Sequence, residues 1–291
     1  MLRSMKDLEN YAIRAIDGTI GHVRDFYFED NTWVVRYLVI DTGSWLSGRK
    51  VLISPMALGQ PDWTGRVLPV SITREKVRNS PNIDTDKPVS RQHEQQYLDY
   101  YGHPLYWGGA GFWGAGVYPS ATFGIGSGGV SVADVLRQSD AIRAETKRGP
   151  HEEGDPHLRS CKSLVNYRIE ATDGGVGHVQ GLLVDEQTWA IRYLVVETSN
   201  WWLGHQVLIA PKWIRDISWL DTTVSVALTR QAVKDAPPYD SAMPPSREEE
   251  AVLYQHHGRA GYWADEENLG NPQHRVVGTS SAPGGRVANR T

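Results

Sequence analysis

One segment of this chain occurs twice, and this repetition constrains the architecture more than any other feature of the sequence. RYLVIDTGSWLSGRKVLISP occupies residues 36–55, and RYLVVETSNWWLGHQVLIAP occupies residues 192–211. At this offset the two halves align without a gap from residue 2 to residue 107, and roughly 40 of about 106 positions are identical. A repeat of this length indicates two copies of one domain rather than the short units of a solenoid.

Each copy is rich in β-strand signals. Asp17-Gly18 is a favoured tight-turn pair, which predicts a strand on either side of it. Residues 33–41 (WVVRYLVID) are dense in β-branched and aromatic residues, and Pro55 and Pro211 mark the end of a further strand. Short strands at this spacing predict that each copy closes its own small antiparallel barrel.

The repeat also divides the chain into segments. Helices are expected over 91–101 and 247–257, because each stretch follows a serine and ends at a glycine. We predict a first barrel domain (1–84), a helical extension (85–107) and a Gly-rich linker (108–156) with a helix over 131–148. A second barrel domain (157–240), a second helical extension (241–264) and a disordered tail (265–291) follow.

Both copies resemble PRC-barrel domains. The resemblance lies in DTGSWLSGRKVLISP and ETSNWWLGHQVLIAP, together with DGTIGHV and DGGVGHV, and it covers residues 1–84 and 157–240. This family is named for the cytoplasmic domain of the photosynthetic reaction centre H subunit, and it includes the C-terminal domain of a ribosome maturation factor. The resemblance implies a mainly β fold, with a roughly six-stranded antiparallel barrel in each copy, and a protein-contacting role without a catalytic site.

Charge and composition exclude several classes of function. The net charge is -4, so no basic bias points to a nucleic-acid partner. The single cysteine, Cys161, rules out an internal disulfide and is expected to be a small core residue. The sequence contains no run of about 18 apolar residues, so we expect no segment to insert into a membrane. These features favour a cytoplasmic protein.

Two pairs of residues recur beside the predicted tight turn. His22 and His178 occupy the same place in the two copies, as do Asp17 and Asp173. A duplicated active site would need duplicated partners, and neither a Ser-His-Asp nor a Cys-His set recurs. We therefore interpret all four as structural residues of the turn, with a contact or pH-sensing role as the alternative for the histidines.

Arg36 and Arg192 lie in the middle of the apolar strand and are also interpreted as structural. A buried arginine needs an acidic partner, because an unpaired buried charge is costly. The candidate acids are Glu29 or Asp41 in the first copy and Asp185 or Glu197 in the second. Contact with an anion or with a partner protein is the alternative.

Aromatic residues provide the candidate interaction sites. Large rings in desolvated pockets carry much binding energy, but they can equally cap a barrel or fill the contact between two barrels. Both readings apply to the glycine-rich loops and to the repeated YW pairs, and the residues concerned are Trp45, Leu46, Trp201, Trp202, Trp107 and Trp263.

The remaining chemistry is sparse. HEEGDPH, residues 151–157, clusters histidines and acids but lacks a recognised ligand spacing, so we expect neither a metal nor another cofactor. The sequence therefore predicts a non-enzymatic scaffold or adaptor that binds another protein, with an intramolecular contact between its barrels. Two alternatives stay open: a subunit associated peripherally with a membrane electron-transfer or photosynthetic reaction centre complex, and a factor for RNA processing or ribosome assembly.

Overall fold

β-Strands dominate the residues that the computed structural model describes, which are 1–81, 91–107, 113, 157–198 and 205–264. The predicted linker helix over 131–148, residues 199–204 and the tail from 265 lie outside those ranges.

The strands form two sheets, one built mainly from each repeat. The first repeat contributes β2 (Ala12–Ala15), β3 (Gly18–Glu29), β4 (Val34–Asp41), β5 (Lys50–Ile53) and β6 (Val67–Pro69). The second repeat contributes β8 (Arg168–Ala171), β9 (Gly174–Asp185), β10 (Ile191–Thr198), β11 (Gln206–Ile209), β12 (Ile214–Ser218) and β13 (Thr223–Val226). Hydrogen-bonded neighbours follow the orders β5-β4-β3-β2-β6 and β11-β10-β9-β8-β13-β12. Because only Ala210 and the 3₁₀ turn Pro211–Trp213 separate the end strands β11 and β12, the second sheet curls back towards itself.

Each sheet contains one parallel strand pair, which corrects the prediction of fully antiparallel barrels. β2 runs parallel to β6, and β8 runs parallel to β13. The cause is the connection after β5 or β11, since the chain there crosses to the far side of the sheet before it enters the last strand. All the other strand pairs in the described residues are antiparallel.

The two remaining strands are exchanged between the repeats. β1 (Leu2–Ser4) pairs with residues 183–185 of β9, and β7 (Leu158–Ser160) pairs with residues 27–29 of β3. The expectation that each copy builds its sheet only from its own strands therefore needs correction. Both exchanged strands have the sequence LRS, so either one fits either sheet.

Ion pairs and backbone hydrogen bonds join the repeats at the exchanged strands. Arg3 Nε lies 2.8 Å from a carboxylate oxygen of Glu186, and Arg159 Nε lies 3.0 Å from one of Asp30. In each pair one residue comes from the first repeat and the other from the second. This reciprocity gives the two repeats matching contacts with each other, as expected for a pseudo-two-fold arrangement.

A second set of reciprocal bonds lies at the start of β4 and β10. The N–H of Val35 donates to the carbonyl of Trp189 at 2.9 Å, and the N–H of Ile191 donates to the carbonyl of Trp33 at 2.7 Å. Buried apolar side chains from both repeats belong to one hydrophobic cluster. The intramolecular contact between repeats is thus built from backbone bonds, ion pairs and a shared core.

Among the described residues, the structure has the two helices that the sequence predicts, over 91–101 and 247–256, and four shorter helices in addition. Their bounds are α1 (Met5–Leu8), α2 (Arg74–Arg78), α3 (Arg91–Tyr101), α4 (Cys161–Leu164), α5 (Arg230–Lys234) and α6 (Arg247–His256). Thr73 and Thr229 cap α2 and α5, and Ser246 forms a capping box with Glu249 at α6. Gly102 and Gly258 adopt positive φ angles of 72° and 61° after α3 and α6, as helix-terminating glycines do.

Candidate interaction surface

The loop tryptophan of the first repeat is partly buried and packs against the hydrophobic core. The indole N–H of Trp45 donates to the carbonyl of Ile20, and the guanidinium of Arg74 lies 4.4 Å from the centre of the indole ring. Leu46 packs against the hydrophobic core as a partly buried side chain. Trp201 and Trp202, their equivalents in the second repeat, lie outside the described residues.

The tryptophans of the YW pairs are likewise engaged in internal contacts. The ring of Trp107 lies 5.0 Å from that of Tyr106, and the ring of Trp263 lies 5.2 Å from that of Tyr262. The Arg247 guanidinium is 4.5 Å from the Trp263 ring. These contacts favour the packing interpretation for both residues.

Each of the two strand arginines is paired with the candidate acid that lies on the neighbouring strand. Arg36 Nη2 is 2.6 Å from a Glu29 oxygen, and Arg192 Nη2 is 3.5 Å from an Asp185 oxygen. Each guanidinium also covers the tyrosine of the YW pair in its own repeat. The guanidinium carbon of Arg36 is 3.8 Å from the centre of the Tyr106 ring, and that of Arg192 is 3.9 Å from the centre of the Tyr262 ring. These buried contacts favour the interpretation of both arginines as structural residues, which stays a prediction.

The other two acids considered for the arginines lie beside the histidines instead. Asp41 is the strand partner of His22, and His178 Nε2 is 3.6 Å from a Glu197 oxygen. Both carboxylates stand at the opposite end of β4 or β10 from the arginine.

The turn aspartates connect the first hairpin of each repeat to a short helix. Asp17 Oδ1 accepts the backbone N–H of Arg74 at 2.7 Å, and Asp173 Oδ1 accepts that of Arg230 at 2.7 Å. Each carboxylate thereby satisfies a free N–H group in the first turn of α2 or α5.

Sequence reasoning missed two buried glutamates at matching positions in α3 and α6. The hydroxyls of Tyr193 and Tyr262 donate to Glu250 at 2.8 and 2.9 Å, and Arg247 Nη1 lies 3.0 Å from the same carboxylate. Burial raises the pKa of Glu250, although these three neighbours act in the opposite direction. The signal was available, because Glu250 is identical to the residue 156 positions earlier.

That earlier glutamate, Glu94, is fully buried and has a partner from the second repeat. The Tyr106 hydroxyl donates to Glu94, and the imidazole Nε2 of His157 is hydrogen-bonded to its other oxygen. His157 ends the stretch HEEGDPH, for which no metal is expected, and its other residues, 151–156, lie outside the described ranges. In the described part of the chain, no group of three His, Cys, Asp or Glu side chains is arranged to hold a metal ion.

Cys161 is buried, and this burial raises the pKa of its thiol, with the charge of Asp25 acting in the same direction. The thiol therefore stays protonated near neutral pH and is a poor nucleophile.

A histidine at the end of α6 makes stability depend on pH. Burial lowers the pKa of His257 to about 4 from an ordinary 6.5, and the charges of His256 and Arg259 add to this shift. Between these two pH values the unfolded chain binds a proton that the folded chain does not. The free energy of unfolding therefore falls as the pH drops from 6.5 to 4, and the contribution of His257 is fully present only above pH 6.5. Allowing for its partial exposure, the loss is about 1–2 kcal/mol.

The first repeat supplies the substitution that tests this pH dependence. Tyr101 stands at the position equivalent to His257. We expect His257→Tyr to lose less thermal stability than the unmodified protein when the pH falls from 7 to 4.5, as measured by the melting temperature from circular dichroism. Other titrating groups act on both proteins alike, so parallel curves would contradict the assignment.

A groove beside α6 remains open to solvent. Its volume is about 300 Å³, and it lies between the helix and the segment PPYDSAMPP, residues 237–245. Met243 is 69% exposed and Val252 is 54% exposed, and both line it. We call this feature the α6 groove. The other strongly exposed apolar side chains of the described residues, Met1, Ile16 and Leu220, do not line it.

Acidic residues surround this apolar surface. Asp240, Glu248 and Glu249 all line the α6 groove. The sequence did not point to this feature, because four of the residues that line it, Met243, Glu248, Glu249 and Val252, differ between the two repeats. The described helices include none with both the length and the apolar character needed to cross a bilayer.

Comparison with known proteins identifies one domain of the chain. Residues 3–69 match the family model of the PRC-barrel domain, so the resemblance is confirmed for this part of the first repeat. An uncharacterized protein of Deinococcus radiodurans is 34% identical over 88 residues, which are 26% of this chain and 31% of that protein. The chain thus spans about a third of the length of this relative (31%). A PRC-barrel domain indicates a general role in binding or scaffolding.

Proposed function

We propose, from the PRC-barrel match of residues 3–69, that this protein is a non-enzymatic scaffold that binds another protein through the α6 groove. One observation carries the choice of surface. The apolar side chains of Met243 and Val252 are both exposed and both line one groove, whereas the candidate residues Trp45 and Trp263 are partly buried against the hydrophobic core. Exposed apolar side chains within a groove that has a polar rim are typical of protein-binding sites.

The repeated polar residues support a role without catalysis. Arg36 is paired with Glu29, and Glu250 accepts hydrogen bonds from two tyrosines. Such groups stabilise the interior and leave no nucleophile beside a base in these clusters. The exchanged strands also hold the two repeats in a fixed relationship, which suits a protein that presents a surface.

Site-specific photocrosslinking tests this function. A photoreactive phenylalanine analogue replaces Met243 in the groove, and in a control protein it replaces Leu220, which is exposed and apolar but lies on another surface. After irradiation in a lysate of the cells that make the protein, we expect discrete protein adducts at position 243 that are absent at position 220. No adduct at 243, or the same adducts at both positions, would reject the proposal.

A further inference from the structure

We propose that the α6 groove recognises a cationic polypeptide segment in which an aliphatic side chain is flanked by lysine or arginine. This inference rests on the proposed function and specifies the chemistry of the partner.

The charge of the groove favours a cation. Asp240, Glu248 and Glu249 line it, and the pKa of Tyr239 in its wall is raised by burial and by the negative charges of Asp7 and Asp240. The nearest cation in the wall helix, Arg247, is held 3.0 Å from the buried Glu250. Opposite charges across an interface speed association and exclude like-charged partners.

The backbone of the groove leaves few donors for an anionic partner. Pro237, Pro238, Pro244 and Pro245 carry no N–H group, and all four line the groove. The N–H groups of other residues already donate within the chain, namely those of Tyr239, Ala242, Met243 and Glu249. A wall rich in acceptors matches the donor-rich side chains of lysine and arginine. It also disfavours binding by addition of a β-strand, which needs backbone donors in register.

The apolar part of the groove fits an aliphatic side chain. A volume of about 300 Å³ is at the small end for ligand sites and suits one or two side chains rather than a folded domain. Met243 adapts its shape readily because its side chain is unbranched, whereas the proline rings are rigid. Together they provide a surface for one apolar anchor.

The two repeats differ at the residues that define this chemistry. Met243, Glu248, Glu249 and Val252 are replaced in the first repeat by Lys87, Gln92, His93 and Gln96. The two exposed apolar residues and the two helix carboxylates thus occur only in the second repeat, whereas Asp240 is matched by Asp84. The second repeat therefore combines apolar and acidic residues that the first repeat does not combine at these positions.

Fluorescence anisotropy with the purified full chain tests the proposal. The probes are three labelled octapeptides: GRKVVKRG, the charge-reversed GEDVVDEG, and GRKSSKRG without the apolar pair. We expect GRKVVKRG to bind about 10-fold more tightly than either of the others, and to weaken several-fold when salt rises from about 50 to 500 mM.

A pair of double variants locates the site. Glu248→Lys with Val252→Lys should weaken GRKVVKRG binding about 10-fold. The control, Glu75→Lys with Gln96→Lys, makes the same change in charge at exposed sites, and Glu75 has the same position in α2 as Glu248 in α6. The control should bind normally, and unchanged circular dichroism spectra establish that both variants fold.

Three outcomes would overturn the proposal. The first is equal binding of the charge-reversed peptide, and the second is equal binding of GRKVVKRG by the two double variants. The third is self-association of the protein that only the Glu248/Val252 variant abolishes, because this would assign the groove to a second copy. If crosslinks form at position 243 but no peptide binds, the protein-binding function stands and the partner chemistry is wrong. If the peptide binds but no crosslinks form, the proposed chemistry of the groove stands and the proposed protein-binding function is rejected.

Discussion

Replacing Leu2 with aspartate is expected to destabilise the second repeat, although Leu2 belongs to the first. Leu2 is 5% exposed and lies in β1, whose backbone pairs with residues 183–185 of β9. A carboxylate at this buried position removes apolar contacts and is costly to desolvate, so we expect the protein to lose about 3–5 kcal/mol of stability. Hydrogen-exchange mass spectrometry should show the first loss of protection in β9.

The mirror-image variant provides a stringent comparison. Leu158→Asp should lower protection in β3 of the first repeat, because β7 pairs with residues 27–29. Ile16→Asp introduces the same chemistry at a side chain that is 72% exposed and should change little. Loss of protection confined to the repeat that carries the substitution would show that the strands are not exchanged.

Replacing Gly177 with alanine is expected to be among the most damaging small substitutions. A Cβ atom there would overlap the backbone carbonyl oxygen of Glu197 and lie 2.9 Å from its carbonyl carbon. Neither atom belongs to a flexible side chain, so β9 and β10 must separate. We expect a loss of about 3 kcal/mol or more, measured by chemical denaturation. The same crowding at Gly21 by Asp41 explains why both copies have glycine at this point.

A second glycine in the same strand is the control for this prediction. A Cβ atom at Gly181 would meet no atom within 4 Å. Gly181→Ala should therefore leave the denaturation midpoint nearly unchanged or raise it slightly, since alanine restricts the unfolded chain. An equal loss in both variants would mean that strand propensity, rather than the close approach of two backbones, requires Gly177.

Local signals made much of the fold predictable. Ser246 with Glu249 specifies the start of α6, and Thr73 and Thr229 specify α2 and α5, because capping depends on residues close in sequence. The strand exchange could not be predicted in this way. Residues 2–4 and 158–160 are identical, so the sequence gives no reason for either segment to prefer one sheet.

The candidate site was missed for a related reason. Sequence reasoning searched for what the two copies share, and shared residues such as Arg36 and Asp17 serve the fold that both copies need. The α6 groove depends on Met243 and Val252, where the copies differ. In a duplicated chain, differences between the copies at exposed positions are the better indication of function.

The exchanged strands also set the order in which the protein can assemble while the ribosome makes it. β1 leaves the ribosome before residues 183–185, with which it pairs, because the rest of the first repeat and the linker lie between them. The first sheet in turn waits for residues 158–160. The first half therefore cannot reach its final form during its own translation, and β1 cannot form its native pairs until β9 has been made.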